Sequence, residues 1–471
     1  MPIAARIQKL LRVNRWMCGS SELSNSQSLI PNVRKICFSG LGREDMMGKK
    51  FFTSICLLLC FGLYGSSSLA QNVVTDWAGI IQPAVIKIDD SHPLRPPASA
   101  EVLHTIIQLA MYDAAMAIEG GYTPYAADIS APPGADVRAA VATAAYRTAR
   151  ARVAASQISY LDQHYLAYMT GILDSQAKRD GIQVGEYAAA AMLLLRAKDR
   201  FDNVVLYQCS SDPPPPGEFE PNAGCGTQPV DAKLGNVMPF TYSDPSQFRP
   251  DGPNPLTSEA YTEDFIETRD YGRSNSTFRT PEQTDVAYFW SEHTYVQWNR
   301  NLIGLAVNRG LNIRDTARFL AMVHCAAADA VIAGFEAKYF YRSWRPRTAI
   351  PRADSDGNPD TDADPTWTPL LTVNHPEYPS GHGFYSTAVT DAVAAFFGTN
   401  KVMWTITASK TTVPQLIQTE RTYCDLNAVM REVDDARVWA GLHWRHSMRQ
   451  GDQIGRKVAR YVTQNFFRPV Q

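Results

Sequence analysis

Apolar residues recur at steps of three and four in one segment after another from Glu101 onward, and this periodicity limits the possible fold more than any other feature of the chain. Residues 101–121 and 314–341 are two such segments. These steps place apolar side chains on one face of an α-helix, whereas the alternation typical of half-buried strands is nearly absent. We therefore predict an all-α protein, a multi-helix bundle with long connecting loops.

Proline-rich stretches divide the helical segments into two groups. They lie at 210–260 and 346–379, and no repeat of fixed period is present. With 45% hydrophobic and 20% charged residues, the chain has enough apolar material for one large core. We predict a single helical domain over 71–471, with an N-terminal helical half at about 71–260 and a second half at about 261–471.

The start of the chain has the pattern of a secretory signal peptide at 46–70. Lys49 and Lys50 precede an apolar run, and the small residues Ser68 and Ala70 occupy the positions expected before a cleavage site. The run is too short for a comfortable membrane span, so we expect none after cleavage. Residues 1–45 are predicted to be a non-native or disordered extension, and the mature protein to be periplasmic or secreted.

The charge distribution argues against a nucleic-acid partner. Residues 1–70 contain nine Lys or Arg and three Asp or Glu, which leaves 36 basic and 44 acidic residues in the remainder. A mildly acidic domain does not attract a polyanion.

Cys209 and Cys225 flank a proline-rich loop that has no core-forming pattern. Export to an oxidising compartment favours pairing of such cysteines, so we predict a disulfide between them. Closing so short a loop would stabilise the protein by about 3 kcal/mol in the chain-entropy model.

The sequence Pro-Ser-Gly-His at 379–382 precedes an apolar helical segment. Ser380 is a plausible N-cap, and the unpaired amides of a first helical turn together with the helix dipole attract an anion. A capped helix with a surface histidine at His382 is the alternative.

Two further stretches bring basic residues and a histidine together. Lys338 and Arg345 are seven residues apart, which on a helix places them on one face, and two such cations are costly to bury without an anion. Arg437 and His443 are six apart and can meet at one site only if the helix breaks between them, for which Gly441 is the expected position.

In order, these segments read K-x6-RP, PSGH and R-x5-H, between Lys338 and Ser447. The set resembles the superfamily of vanadium-dependent haloperoxidases and type 2 phosphatidic-acid phosphatases, and the longer helical chain resembles its bacterial haloperoxidase branch. The resemblance implies an oxyanion held through its equatorial oxygens by Lys338, Arg345, Arg437, Ser380 and the Gly381 amide.

The same resemblance assigns the two histidines different tasks. His443 would be the apical partner, the ligand of vanadium in a peroxidase or the nucleophile in a phosphatase, and His382 the acid/base. Arginine forks and a lysine point charge suit such an anion, and an imidazole of suitable pKa can move a proton.

This chain departs from the phosphatase pattern at two positions. Ala436 and Ser447 stand where phosphatases of the superfamily have Ser and the Asp that orients the histidine. Another carboxylate must then hold His443, and Asp434 and Asp435 are weak candidates.

Two residues are candidates for a halide site. His375 stands seven residues before His382, where chloroperoxidases have Phe and algal bromoperoxidases have His. We therefore hypothesise a preference for bromide or iodide, against the alternative of a hydrogen-bonded loop histidine. Phe335 occupies the place of a Trp in the chloroperoxidases and is expected mainly to pack against the site.

The function that this resemblance implies is an exported vanadium-dependent haloperoxidase, which oxidises halide with hydrogen peroxide at a His443-bound vanadate. The alternative is an acid phosphatase that acts on a phosphate ester through a phosphohistidine and requires no cofactor. A third possibility is an oxyanion-binding protein without turnover.

The acidic stretch Asp354–Pro365 is more typical of a solvated loop than of a calcium site, because its glycine does not match an EF-hand. The oligomeric state stays open.

Overall fold

Helices account for most of residues 72–88 and 94–470, the parts of the chain that this computed structural model describes. The all-α prediction is therefore confirmed. The signal peptide and the extension predicted at 46–70 and 1–45 lie outside the described residues. The helices are α1 (Val73–Ile86), α2 (Pro97–Glu119), α3 (Val137–Arg152), α4 (Ile158–Thr170), α5 (Gln176–Leu195), α6 (Glu259–Gly272), α7 (Pro281–Phe289), α8 (Thr294–Asn308), α9 (Ile313–Tyr341), α10 (Pro346–Ala349), α11 (Gly381–Phe397), α12 (Leu426–Trp439) and α13 (Arg445–Asn465).

Short polar side chains set several helix starts, as their chemistry predicts. Asn312 accepts a hydrogen bond from the amide of Asp315 at 2.8 Å and begins α9, and Asp425 does the same for Ala428 at 2.9 Å at the start of α12. At the other end of α9, Arg342 adopts a left-handed conformation with φ 51°, which stops the helix.

Helix α9 is the centre of the bundle. Helices α2, α11 and α13 all pack against it, and one hydrophobic core runs from α1 to α13. Among the described residues, α9 is the one helix long and apolar enough to cross a membrane, but 94% of its most apolar stretch is buried inside the protein. Core packing thus accounts for its hydropathy.

Helices α11 and α13 approach each other closely because glycines lie where they cross. A Cβ at Gly451 of α13 would stand 2.6 Å from the carbonyl oxygen of Ser380. No larger residue fits there without displacing the backbone. This contact fixes the position of the first turn of α11.

Two strands, β1 (Trp404–Thr407) and β2 (Glu420–Tyr423), form a small antiparallel ribbon in which Trp404 pairs with Tyr423. The sequence pattern did not predict this ribbon.

Cys209 and Cys225 are joined by a disulfide, as the sequence predicted. The loop that it closes pairs with the chain just before Arg345: Phe219 donates to the carbonyl oxygen of Arg342 at 2.7 Å, and Trp344 donates to that of Gly217 at 2.9 Å. These hydrogen bonds therefore hold the backbone next to Arg345, one of the candidate site residues.

Candidate active site

The candidate residues come from the ends of three helices and from two connecting segments. Lys338 lies in the last turn of α9, Ser380 caps α11, and Arg437 lies in the last turn of α12. Arg345 precedes α10, and His443 follows α12.

One detail of the sequence prediction is wrong. Lys338 and Arg345 do not share a helix, because α9 ends at Tyr341 and Arg345 has extended backbone angles as the residue before Pro346. The turn between them, and not helical periodicity, brings their side chains together.

Lys338 and Arg345 both point at the segment before α11. The Lys338 Nζ donates to the carbonyl oxygens of Pro376 and Glu377, each at 3.0 Å. Arg345 donates to the carbonyl oxygens of His375 at 2.6 Å and Leu442 at 2.8 Å. Lys338 and Arg345 thus attach two connecting segments to the bundle, the one before α11 and the one that contains His443.

Arg437 has fewer partners. One terminal nitrogen donates to the carbonyl oxygen of Trp290 at 2.9 Å, whereas its Nε is buried and without a hydrogen bond. The side chain is only 3% exposed. A buried guanidinium nitrogen with no acceptor calls for one that belongs to a ligand.

The start of α11 has the expected cap. The Ser380 Oγ accepts from the Gly383 amide at 3.4 Å, and the Ser380 amide donates to Ser447 at 3.0 Å. A Cβ on Gly381 would lie 3.9 Å from the Lys338 Cε, so this lysine stem runs beside the first helical turn. His382, in the same turn, is half-buried, and its Nε2 lies 3.3 Å from the Thr294 hydroxyl.

The pKa shifts of His443 and His382 show that the charges of three basic residues act on both imidazoles. Burial, and then the charges of Arg345, Lys338 and Arg437, lower the pKa of His443 well below its usual value. Burial and then Arg437 do the same to the pKa of His382, to which Lys338 and Arg345 also contribute. Three cations therefore act on both imidazoles.

The cations act on one another as well. Burial and the nearby Arg345 lower the pKa of Arg437 to about 9 and that of Lys338 well below its usual value. Burial lowers the pKa of Arg345 to about 10, although Glu377 opposes the shift. The carboxylate Glu377 acts on Lys338 and Arg345, and no carboxylate among the described residues raises the pKa of Arg437.

Glu377 is the carboxylate that sequence reasoning missed. Its Oε1 lies 2.7 Å from the His443 Nδ1 and accepts from the Trp444 amide at 3.1 Å. Burial raises the pKa of this fully buried group to about 7, against the charges of Arg345 and Lys338. If Nδ1 carries the ring proton and donates a hydrogen bond to Glu377, the Nε2 of His443 has a free lone pair.

The two aspartates considered for this role lie elsewhere. Asp435 pairs with Arg445 at 2.7 Å, and burial together with the neighbouring Asp452 raises the pKa of Asp434 above its usual value. The sequence contained one usable signal, since Glu377 is the single acidic residue between Asp364 and Asp391.

His375 and Phe335 lie together beside the cations. The His375 Nδ1 is 2.9 Å from an Arg345 terminal nitrogen, and the rings of His375 and Phe335 are 5.6 Å apart. Burial and the charge of Arg345 lower the pKa of His375 well below its usual value. His375 is thus a neutral hydrogen-bond acceptor of Arg345.

In the acidic stretch Asp354–Pro365, the side chains of Asp354, Asp360 and Asp362 are exposed, as expected for a solvated loop. Asp356 is buried and accepts from the Asn358 amide at 2.7 Å and the Thr361 hydroxyl at 2.9 Å. The loop is folded by these internal hydrogen bonds.

Comparisons with known proteins agree with this geometry. Residues 318–471 match a family model described as the VCPO second helical-bundle domain. The vanadium chloroperoxidase of Curvularia inaequalis is 30% identical over 162 residues, covering 28% of this chain and 25% of the relative. The chain thus spans about a quarter of the length of the curated relative that it matches.

Solved structures extend the likeness over most of the fold. A bacterial vanadium-dependent iodoperoxidase superposes with a TM-score of 0.69 at 20% identity, covering 85% of this chain and 96% of that one. An apo bacterial vanadium-dependent chloroperoxidase gives a TM-score of 0.64 at 15% identity, covering 82% and 96%. At this identity the likeness concerns the fold.

The helical bundle thus holds a cluster of three buried cations beside two imidazoles. The matched residues 318–471 contain every one of the predicted anion-site positions, so the part of the chain that is similar to the vanadium chloroperoxidase domain is also the part that carries the buried basic cluster.

Proposed function

We propose that this protein is a vanadium-dependent haloperoxidase that oxidises halide with hydrogen peroxide. The observation that carries the proposal is the cluster of Lys338, Arg345 and Arg437, all at most 3% exposed, around two neutral imidazoles. Three buried cations face one carboxylate, so the site requires a compact anion with several acceptor oxygens. Vanadate fits this requirement, and the unpaired Arg437 Nε is a donor available to it.

Each residue has a task that its contacts support. Arg345, Lys338 and Arg437 would hold the oxygens of vanadate, with the Ser380 hydroxyl and the Gly381 amide as further donors. Glu377 orients His443 so that its Nε2 lone pair is available to the metal. When bound, vanadate would supply Lewis-acid activation of peroxide without changing its oxidation state.

His382 is placed to move protons. Its pKa is held low by burial and by Arg437, so it is neutral near pH 7 and can accept a proton from incoming peroxide. The Thr294 hydroxyl, 3.3 Å from its Nε2, and the backbone of Trp290 are groups that can hold its ring in place.

A phosphatase is the second candidate, and Glu377 is the observation that favours it. The sequence had counted against hydrolysis because Ser447 replaces the expected Asp, but Glu377 supplies a carboxylate to His443 from another segment. A nucleophilic histidine needs such a partner.

Two assays on the same preparation separate these activities. We expect bromination of monochlorodimedone that requires both vanadate and peroxide, and little hydrolysis of p-nitrophenyl phosphate. Hydrolysis inhibited by vanadate, without bromination, would assign the phosphatase. Tight vanadate binding with neither activity would leave a binding protein.

The halide preference is a finer part of the proposal. We propose that bromide or iodide is favoured over chloride, because His375 bonds to Arg345 where a chloroperoxidase has Phe. One of the structural neighbours is an iodoperoxidase, which agrees with this choice. We expect His375→Phe to shift the ratio of chloride to bromide kcat/KM by about tenfold, the effect of one lost charged hydrogen bond. An unchanged ratio would remove His375 from halide selection.

We also propose that the protein works in the periplasm or outside the cell. The Cys209–Cys225 disulfide supports this location, because such bonds persist in oxidising compartments. Sequencing the N-terminus of the exported protein tests it, with cleavage after Ala70 as the expected result.

A further inference from the structure

A second cavity lies beside the turn that carries His443. Its volume is about 260 Å³, close to the lower end of the range of about 300–1,000 Å³ for small-molecule pockets. Trp444 and Ser447 form one side of it, and Pro216 and Gly217 of the disulfide-closed loop form another. None of the residues assigned to the anion site lines this cavity, so it needs a separate explanation.

Aromatic rings make up most of its buried wall. Tyr261, Trp344, Tyr378 and Trp444 all line the cavity, and each is at most 5% exposed. The rings of Tyr261 and Trp444 meet edge to face at 5.5 Å, which holds the wall rigid. Aromatic faces attract organic cations, most strongly when water is excluded.

One carboxylate lies in this aromatic wall. Asp264 on α6 is 8% exposed, and its Oδ2 accepts from the His446 amide at 3.1 Å. No Lys or Arg of the described residues forms an ion pair with it at 4 Å or less. Burial raises the pKa of Asp264 to about 7, as expected for a carboxylate that lacks a partner.

The charges around Asp264 do not neutralise it. Arg445 is engaged by Glu267 and by Asp435, each at 2.7 Å, and Glu267 itself raises the pKa of Asp264. Arg449 is exposed to solvent and lowers that pKa only in part. His446 is the basic side chain in the wall; burial lowers its pKa, so it is neutral when Asp264 is ionised.

Two buried polar groups of the wall face each other. Burial raises the pKa of the Tyr261 phenol, and the Trp344 Nε1, which points at its hydroxyl, opposes this shift. Neither atom has a well-formed hydrogen bond, and both residues are at most 3% exposed. The Tyr261 hydroxyl therefore keeps the capacity to donate to a polar group inside the cavity.

We propose that this cavity binds a small organic ammonium that carries a hydroxyl group, with its cation against Asp264 and the aromatic rings and its hydroxyl against Tyr261. Choline and ethanolamine belong to this chemical class. The inference does not depend on the reaction performed at the anion site.

The test compares choline with its uncharged isostere 3,3-dimethylbutan-1-ol by isothermal titration calorimetry on the whole protein. Phosphate is kept at a saturating concentration so that the anion site stays filled. We expect saturable choline binding, at least tenfold weaker binding of the isostere, and choline affinity that rises from pH 6 to pH 8 as Asp264 loses its proton. Equal binding of the two compounds, or no choline binding up to about 10 mM, would overturn the proposal.

A matched pair of variants on α6 identifies the group responsible. Asp264→Asn should weaken choline binding at least tenfold, whereas Asp270→Asn, at a more exposed carboxylate paired with Arg269, should leave it unchanged. Choline affinity that is unaffected by Asp264→Asn would exclude Asp264 as the counter-ion and with it the proposed site. If Asp264→Asn fails to fold, the comparison of the two ligands on the unaltered protein decides the matter.

Discussion

Two buried histidine–glutamate pairs in this chain have nearly the same local geometry. In the core pair, the His324 Nδ1 lies 2.9 Å from the Glu101 Oε1, and in the site pair, the His443 Nδ1 lies 2.7 Å from the Glu377 Oε1. All four side chains are at most 2% exposed. A histidine held by a buried glutamate is therefore not sufficient to mark an active site.

The surroundings of the two pairs differ in charge. Neutral groups surround the core pair: the Tyr385 hydroxyl donates to Glu101, and the ring of His104 lies 4.4 Å from that of His324. Cations surround the site pair, where Arg345, Lys338 and Arg437 lower the pKa of His443. The difference indicates that unneutralised charge, rather than the histidine or its carboxylate, distinguishes a site for chemistry from a polar part of the core.

The largest expected effect comes from removing each histidine in turn. His443→Ala should reduce vanadate-dependent bromide oxidation by about 10³-fold or more, since it deletes the proposed metal ligand, while the Glu377 carboxylate that loses its partner still faces Arg345 and Lys338. His324→Ala should leave the activity per folded molecule within about threefold but lower the free energy of unfolding by about 2–4 kcal/mol, because it opens a cavity and strands Glu101. Rates and thermal unfolding, measured on both variants, check this. A similar loss of activity in His324→Ala would abolish the distinction between the pairs.

Buried arginines give the next contrast. Arg196 bonds to Asp199 at 3.1 Å and to the carbonyl oxygens of Met238 and Pro239. Arg196→Leu should cost about 3 kcal/mol, because it leaves the buried Asp199 carboxylate with only the more distant Arg152, at 3.7 Å, as a cationic partner. No carboxylate pairs with Arg437 among the described residues. Arg437→Leu should therefore change the free energy of unfolding of the anion-free protein by less than about 1 kcal/mol, or increase it. Urea unfolding without added oxyanion measures both. Equal destabilisation would mean that Arg437 is a structural residue.

The third contrast is between the carboxylates of the two pairs, Glu377 and Glu101. Glu377→Gln should weaken vanadate binding by about 10–100-fold, the usual loss when a carboxylate behind a metal-binding histidine is removed. Glu101→Gln serves as the control and should leave vanadate affinity unchanged. Vanadate titrations followed by calorimetry give the two constants, and an unaffected Glu377→Gln variant would show that His443 needs no anionic partner.

The smallest effect is a dependence of stability on pH. The folded-state pKa of Glu377 is raised from 4.5 to about 7, so the folded protein holds a proton that the unfolded chain releases between these values. Stability attributable to Glu377 is then present below about pH 4.5 and is lost as the pH rises toward 7. Between pH 5 and pH 8 without oxyanion, the unaltered protein should lose about 1–3 kcal/mol relative to Glu377→Gln. A constant difference across this range would contradict the assigned shift.

Local patterns were sufficient to predict the parts of the site that depend on one segment. Ser380 caps α11, as its place before an apolar helical run predicted. Gly441 has a φ of 73° and lies in the turn between α12 and α13, as the spacing of Arg437 and His443 required. In both cases a neighbouring residue or the backbone itself determines the conformation.

Local sequence patterns could not predict the contacts between distant segments. Glu377 and His443 are 66 positions apart, and nothing in either stretch specifies that their side chains meet. The mistaken helical placement of Arg345 has the same origin, because the bridge between Ser343 and Glu218 of the disulfide-closed loop arises from a part of the chain over 120 residues earlier.

Periodicity and local chemistry in this chain were therefore enough to predict the helices and the Ser380 cap, whereas the set of basic and imidazole groups was predicted from the resemblance of three motifs to a known family. Which carboxylate holds His443, which cations stay without a counter-ion and where the aromatic cavity opens all depend on packing among α6, α9, α11 and α12. The physical reason is range: capping and helical periodicity act within a few residues, whereas desolvation and unpaired charge exist only once remote segments exclude water together.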